Sequence, residues 1–446
     1  MSETTTTDLY EVTMAMSYLR EGMLASATFS LFVRDLPPGR GFLVSAGLEP
    51  SLDYLSHFRV SADDVRDFAV ALHRPPEEVS GLLGLRFDGE VHAIPEGHLV
   101  FAGEPLLEVT SPLPQLVETY LLSQICHQTA VASKAARCVI AAEGRPLVDF
   151  SLRRDHGPQA GLQAARLSAM VGFTATSNVA AATRYGIPAA GTMAHSYIEC
   201  FPSEEDVFRA FARTHPGPLT FLVDTYDTAR GVAIAGRVLA ELRRGPGCAI
   251  RLDSGDLGEL AKRSRQLLDA AGLTDVRIIA SGGLDEHSVA ELVRTRAPID
   301  VFAVGTRVGV AADAPYLDAA YKLVQYDGRP VMKLSSAKVT APAPKQVFRG
   351  PGCADVIGLS GEQPPDGKVP LLRTVMRDGR RTGLPDTLAS ARARFEADLV
   401  DLPEAARLIH GPESPVPIGS PRLEALTSEG RDRREATSAV PGERSR

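Results

Sequence analysis

Residues 248–283 read CAIRLDSGDLGELAKRSRQLLDAAGLTDVRIIASGG. CAIRLDS is a short apolar run that ends in polar residues, the mark of a strand. LGELAKRSRQLLDAAG carries apolar residues at helical spacing, and Gly272 stands where a helix C-terminus favours glycine. VRIIASGG is a second apolar run, ending in glycines. Strand, helix and strand at this spacing make a parallel βαβ unit.

The same rhythm runs outward on both sides. From Arg145 to about Val310, the runs PLVDFS, IPAAGT, LTFLVDT, CAIRLDS, VRIIAS and IDVFAVGT alternate with helical stretches such as QAARLSAMVG, SEEDVFRAFART and ARGVAIAGRVLAELRRG. Ser203 with Asp206 starts one helix in capping-box fashion, and Gly245 is placed to close another. Such a region forms a parallel sheet, open or closed into a barrel. Upstream, ATFSLFVRDLPPGRGFLVSAGLE and VHAIPEGHLVFAGEPLLEVTSP read as short strands broken by Gly and Pro, followed by one or two amphipathic helices. The domain reading is therefore 1–130, a β-rich module with linking helices; 131–335, an α/β barrel carrying the active site; 336–410, a segment returning to the β-rich module; and 411–446, a disordered tail. The tail assignment rests on TSEGRDRREATSAVPGERSR, which is charged and poor in large apolar residues.

Composition narrows the function. A net charge of −7 provides no basic field for nucleic acid or an anionic membrane surface. No apolar run reaches the roughly 20 residues of a membrane helix, and the N-terminal MSETTTTDLYEVTM does not read as a signal peptide. Cys126, Cys138, Cys200, Cys248 and Cys353 are scattered without metal or redox spacing, which fits reduced thiols and a cytoplasmic protein.

The chemistry collects where the apolar runs end. VDFSLRRDHG offers Asp149, Arg153, Arg154, Asp155 and His156; GTMAHS offers Thr192 and His195; VDTYD offers Asp224 and Asp227. RLDSGD adds Arg251, Asp253, Ser254 and Asp256, and the glycine-rich ASGGLDE and AVGTRVG add Ser281, Gly282, Gly283, Gly305 and Thr306. Parallel α/β folds bind ligands at the carboxyl ends of their strands, so these segments converge on one site. Glycines between strand and helix can present backbone N–H groups to phosphate, and the arginines suit phosphate or carboxylate. Asp253 and Asp256 are candidates for ribose hydroxyls or Mg²⁺, with a helix cap as the structural alternative for Asp256. His195 can accept a phosphoryl group if a neighbour orients its other ring nitrogen, and Asp224 is the candidate for that neighbour.

In TDLYEVTM, LVDFSLRRDHG, GFTATSN, GTMAHS, VDTYD, RLDSGD, SGGLDE, FAVGTRVG and VMKLSSAKVTAPAPKQVFR, from about Thr7 to Arg349, the chain resembles the nicotinate phosphoribosyltransferases. The resemblance implies a type II phosphoribosyltransferase: an irregular α/β barrel packed with a β-rich N-terminal module. It implies an ATP-dependent, ligase-type enzyme of NAD salvage that joins nicotinate to 5-phosphoribosyl-1-pyrophosphate, giving nicotinate mononucleotide and pyrophosphate. By the same resemblance, His195 is the phosphorylated histidine and Asp224 its orienting carboxylate. Phe150 and Tyr10 sandwich the pyridine ring, with Tyr10 supplied by the second subunit of a homodimer. Arg153 and Arg154 meet the acid substrate, with Ser177 standing where the amide-using relative has an aspartate. Arg251, Asp253, Ser254, Gly282, Gly283, Gly305 and Thr306 hold the ribose phosphate, with Mg²⁺ as the cofactor. The arginine pair, commonly followed by Ala-Gln-Gly in the family, is followed here by Asp155, His156 and Gly157. The alternatives are the nicotinamide-using or quinolinate-using relatives, and a catalytically silent homologue that binds NAD metabolites.

Overall fold

The structure is a computed structural model that describes residues 3–333 and 340–438. The chain divides into two compact units, one formed by Met1–Ala130 with Tyr316–Arg446 and the other by Val131–Pro315. The α/β region therefore ends at Pro315 rather than at 335. The reason is the strand Ala319–Tyr326, which pairs antiparallel with Ala27–Val33 and so belongs to the first unit. The LSSAKV stretch, 334–339, lies outside the described residues, as does 439–446.

The first unit is β-rich, as its alternating short runs predict. Its main sheet has seven strands, with Ala27–Val33 held between Ala319–Tyr326 and Pro105–Ser111. A four-stranded sheet is built from C-terminal segments, with Lys345–Arg349 and Val356–Leu359 at its centre. Within the segment read as a disordered tail, Ile418–Gly419 pairs with Val356–Leu359, and Pro421–Ser438 is a helix. What the composition concealed is that the start of that helix is anchored locally: Leu423 is buried, and Ser420 donates its hydroxyl to Glu362 Oε1 at 2.8 Å and its N–H to Ile357 O at 2.8 Å.

The second unit holds six parallel strands: β1 (Leu147–Asp149), β2 (Ala175–Thr176), β3 (Thr220–Leu222), β4 (Ala249–Leu252), β5 (Arg277–Ala280) and β6 (Val301–Val304). Their order in the sheet is β2-β1-β6-β5-β4-β3. This is the α/β architecture that the strand–helix alternation predicts. β6 is buried along its whole length, as expected of a parallel strand covered on both faces. IPAAGT, read as a strand, makes only a single bridge from Ala189 to Thr176, because Pro188 has no N–H to extend a ladder; the strand at that position is β2, in GFTATSN. Gly272 takes the left-handed turn after its helix, at φ 74°. Gly245 does not: the helix Thr228–Glu241 has already ended, and Arg243 takes that turn at φ 52°. Among the described residues all five cysteines are free thiols, and no helix is long and apolar enough to cross a membrane.

A buried charge network pins the C-terminal helix Leu388–Asp401 within the first unit. Asp398 accepts from His98 Nδ1 at 2.9 Å and from Arg349 Nη1 at 2.8 Å, and Arg349 also grips Asp355. Burial alone would raise the Asp398 carboxyl, but the bond and charge of His98 and the Arg349 charge outweigh it and hold it below its ordinary value. A depressed carboxyl stabilises the fold above its unfolded value of roughly 3.9 and loses that contribution as the pH falls through its folded value. Asp398→Asn should therefore lower stability at neutral pH by roughly 2 kcal/mol, the scale of a hydrogen bond to a charged group. The gap from wild type should close on acidification; melting curves taken from neutral to acid pH check both points.

Candidate active site

The six parallel strands end on a shared edge, and the turns that follow carry most of the residues singled out above. β1 leads into Phe150, whose N–H donates to Val304 O at 2.8 Å. Its ring packs on Val148, Val301 and Ala303. Asp149, buried, accepts from Thr176 Oγ1 at 2.6 Å and from the Ser151 N–H at 3.0 Å, which locks β1 to β2. Burial pushes its carboxyl above the ordinary range. Ser177 follows β2 directly, exposed, with its N–H on Asp149 O. Arg153 and Arg154 are exposed on the short turn Leu152–Arg154.

Asp155, the departure from the family pattern, is turned inward. Its Oδ2 accepts from Ser151 Oγ at 2.9 Å, and burial raises its carboxyl. A Cβ on Gly309 would lie 1.8 Å from Asp155 Oδ1, so the carboxyl fills a slot that only glycine leaves open. The added negative charge is thereby committed to the turn rather than to solvent beside the arginines.

Arg251 comes from β4, the neighbour of the end strand β3. Its guanidinium sits 5.9 Å from the Phe150 ring centroid, donates to Thr192 Oγ1 and reaches Met193 O at 3.3 Å. Asp253 Oδ1 lies 3.6 Å from Arg251 Nη2. Burial pulls the guanidinium below its usual range; the Asp253 and Asp224 carboxylates oppose this, and the nearby Arg153 charge adds to it. Asp253 also accepts from Ser281 Oγ at 2.5 Å, which joins the turns after β4 and β5.

His195 opens the short helix His195–Glu199. Its Nδ1 is 3.0 Å from Thr225 Oγ1, and its Nε2 is 3.8 Å from Asp253 Oδ2. This corrects the pairing expected from sequence. Among the described residues, the carboxylate within ion-pair reach of the ring is Asp253, and Thr225 holds the other nitrogen. Asp224 instead accepts from the Asp253 N–H at 2.7 Å and from Ser254 Oγ at 2.9 Å. Its second oxygen, Oδ1, is buried without a hydrogen-bond partner among the described residues. Thr225 went unnoticed in the sequence because a hydroxyl beside two aspartates carries no distinguishing signal.

Two glycines set how closely the turns approach. Gly282 has φ 93°, and a Cβ there would fall 1.8 Å from Asp253 O. A Cβ on Gly305 would fall 2.6 Å from Phe150 O. Gly283, at φ 67°, faces open space, and Thr306 begins a four-residue helix after Gly305. These turns can offer backbone N–H groups to an anion. Asp256 takes the structural alternative: its Oδ1 caps the helix Leu257–Ala270 by accepting the Glu259 N–H at 3.1 Å. No cluster of three or more metal-ligating side chains occurs among the described residues. The donors that remain, Asp253 and the unpartnered Asp224 Oδ1, suit a Mg²⁺ that takes few protein carboxylates and completes its shell with water and phosphate.

Tyr10 lies in the other unit, on the helix Leu9–Arg20, with its side chain exposed. The partial desolvation its neighbours impose and the nearby Glu118 carboxylate raise its phenol.

Comparison with known proteins gives a consistent result. The family model described as the nicotinate phosphoribosyltransferase N-terminal domain matches residues 5–126, and that of the nicotinate phosphoribosyltransferase family matches residues 146–341. The protein named nicotinate phosphoribosyltransferase pncB2 of Mycobacterium tuberculosis is 49% identical over 84% of this chain and 82% of its own length. The nicotinate phosphoribosyltransferase of Bacillus subtilis is 43% identical over 77% of this chain and 72% of its own. The crystal structure of human nicotinic acid phosphoribosyltransferase superposes with a TM-score of 0.83 at 30% identity, covering 95% of this chain and 99% of that one.

The glycine geometry yields a paired test. Gly283→Ala should cost about 1–2 kcal/mol, the strain of a left-handed non-glycine residue. Gly282→Ala adds a collision with backbone and should cost distinctly more; melting temperatures of the two variants measure the difference.

Proposed function

The chain belongs to the nicotinate phosphoribosyltransferase family, and from that premise we propose that it joins nicotinate to 5-phosphoribosyl-1-pyrophosphate. The pyridine nitrogen attacks ribose C1, the bond from C1 to pyrophosphate breaks, and nicotinate mononucleotide and pyrophosphate leave. The observation that carries this reading is Arg251, held over the Phe150 ring by Thr192 and flanked by Asp253 and His195. An aromatic platform, a half-buried cation and two glycine turns are what a flat acid and a phosphorylated sugar require together. Phe150 stacks the pyridine ring, Ser177 with Arg153 and Arg154 receives its carboxylate, and Asp253 with Ser254 takes the ribose hydroxyls. Arg251 and the N–H groups of Gly282, Gly283, Gly305 and Thr306 receive phosphate oxygens, where preorganised donors stabilise the charge released on the leaving group. Mg²⁺, when bound with the phosphates, neutralises part of that charge. Tyr10 from a second subunit completes the ring sandwich, which makes the working enzyme a homodimer.

ATP hydrolysis is coupled through His195 in the same proposal. With Nδ1 engaged by Thr225, Nε2 is the nitrogen that attacks the γ-phosphorus of ATP; the bond to the ADP oxygen breaks and phosphohistidine forms. The test is turnover of nicotinate and 5-phosphoribosyl-1-pyrophosphate by the purified protein, with and without ATP. Label from γ-labelled ATP should survive base and be lost in acid. His195→Ala should abolish labelling and ATP stimulation while basal product formation persists, because the arginines and turns still position the substrates. ATP stimulation that survived the substitution would refute the assignment.

Acid selectivity follows from Ser177. A hydroxyl can donate to the nicotinate carboxylate, whereas an aspartate there would repel it. Wild type should strongly prefer nicotinate over nicotinamide, and Ser177→Asp should erode that preference by about 2 kcal/mol, the scale of an uncompensated charge in a partly dry site. The ratio of kcat/KM for the two substrates, in both proteins, reads this directly.

A further inference from the structure

Beneath the glycine turns lies a cluster of buried charges that the reaction itself does not use. Lys134, on the helix Glu118–Ala141, has a side chain only 2% exposed. Its Nζ lies 2.6 Å from Glu286 Oε2 and 2.8 Å from Asp313 Oδ1. Arg137, one helical turn further on and 3% exposed, donates from Nε to Glu286 Oε1 at 3.1 Å. Glu286 is itself wholly buried. Burial would raise its carboxyl, but the Lys134 charge and the bonds from Lys134 and Arg137 outweigh it and hold it below the ordinary value.

The positions of the two acids give the cluster its meaning. Glu286 is the first residue of the helix Glu286–Arg294, directly after the Ser281–Asp285 turn that carries Gly282 and Gly283. Asp313 follows the turn that begins at Gly305 and Thr306. One ammonium group thus ties the residue that follows the first glycine turn, Glu286, to Asp313, four residues past the helix Thr306–Gly309 that follows the second. A second tie runs in parallel, because Arg307, next to Thr306, donates to Asp285, and Asp285 caps the Glu286 helix through the Ser288 N–H. Buried ion pairs are a poor way to gain stability, since apolar residues of equal volume often do as well. Their directional demand is what apolar contacts cannot supply.

We propose that Lys134 is a positioning residue: by bridging Glu286 and Asp313 it fixes the Gly282–Gly283 turn and the Gly305–Thr306 turn relative to each other, and so sets the pocket for the phosphates of the substrate. The assignment of those turns to phosphate rests on the proposed function. Arg137 contributes by orienting Glu286, so that loss of Lys134 leaves that carboxylate paired.

The test uses the full chain and the Lys134→Met variant, which keeps an unbranched apolar stem of nearly the same length and removes the ammonium group. Affinity for inorganic pyrophosphate, measured by calorimetry, should weaken about tenfold, the scale on which small misplacements of positioning groups act. The KM for nicotinate should stay within about twofold, since Ser177 and the arginine turn lie outside the bridge, and Phe150, though it meets Gly305, is also held by its N–H on Val304 O and its packing on Val148. Unchanged pyrophosphate affinity, or equal losses for pyrophosphate and nicotinate in step with a lower melting temperature, would overturn the proposal. Should Lys134→Met not fold, Asp313→Asn removes the more exposed half of the bridge and should weaken pyrophosphate about threefold; no change there would overturn it equally. A wild type that binds pyrophosphate but forms no nicotinate mononucleotide would refute the proposed function alone.

Discussion

At two places in the α/β unit, one strand-end turn rests directly on the backbone of another. Gly282 lies on the Asp253 carbonyl, and Gly305 lies on the Phe150 carbonyl, each closer than any Cβ could come. The rest of the site depends on that approach. Because the turns after β4 and β5 touch, Ser281 can reach Asp253. Because the turns after β1 and β6 touch, Phe150 seats on Val301 and Ala303 and presents its ring to Arg251. A side chain at either glycine would open a gap between strands whose register is otherwise fixed by the parallel ladders.

The second organising feature is the way the charges share work. Asp224 spends one oxygen on the Asp253 N–H and the Ser254 hydroxyl, thereby fixing the carboxylate that faces both His195 and Arg251. The histidine takes its orientation from a neutral hydroxyl, Thr225, which leaves its far nitrogen toward Asp253. Arg251 is held by neutral oxygens of Thr192 and Met193, with Asp253 at longer range. A cation fastened mainly by neutral groups keeps its charge available to an incoming anion.

The α/β fold was legible because parallel strands buried on both faces are continuous apolar runs, and helices between them keep a different period. The positions of Phe150, Arg251, Asp253 and the glycines at the strand ends followed from that pattern. Four features were not legible, each for a physical reason. β2 is a two-residue strand, too short for any periodicity to register, while IPAAGT resembled a strand and lacked the donor to be one. The partner of His195 was assigned by charge, when geometry selects the adjacent hydroxyl. Asp155 looked like a charge beside the arginines, yet its turn folds it into a glycine slot that only three-dimensional proximity creates. The anchoring of the helix Pro421–Ser438 through buried Leu423 and the Ser420 bond to Glu362 was likewise hidden in a segment dominated by charge.

The β-rich unit is assembled from both ends of the chain, with Phe29 registered opposite Leu323 on one side and Val109 on the other. During synthesis, Ala27–Val33 therefore meets Pro105–Ser111 early but waits for its other neighbour until the whole α/β unit has emerged. Non-local pairing of this kind is slow to form, and an unpaired strand edge invites association with other chains in the interval. The nascent molecule thus passes through a stage in which the α/β portion can already fold while the sheet it interrupts still has an open flank.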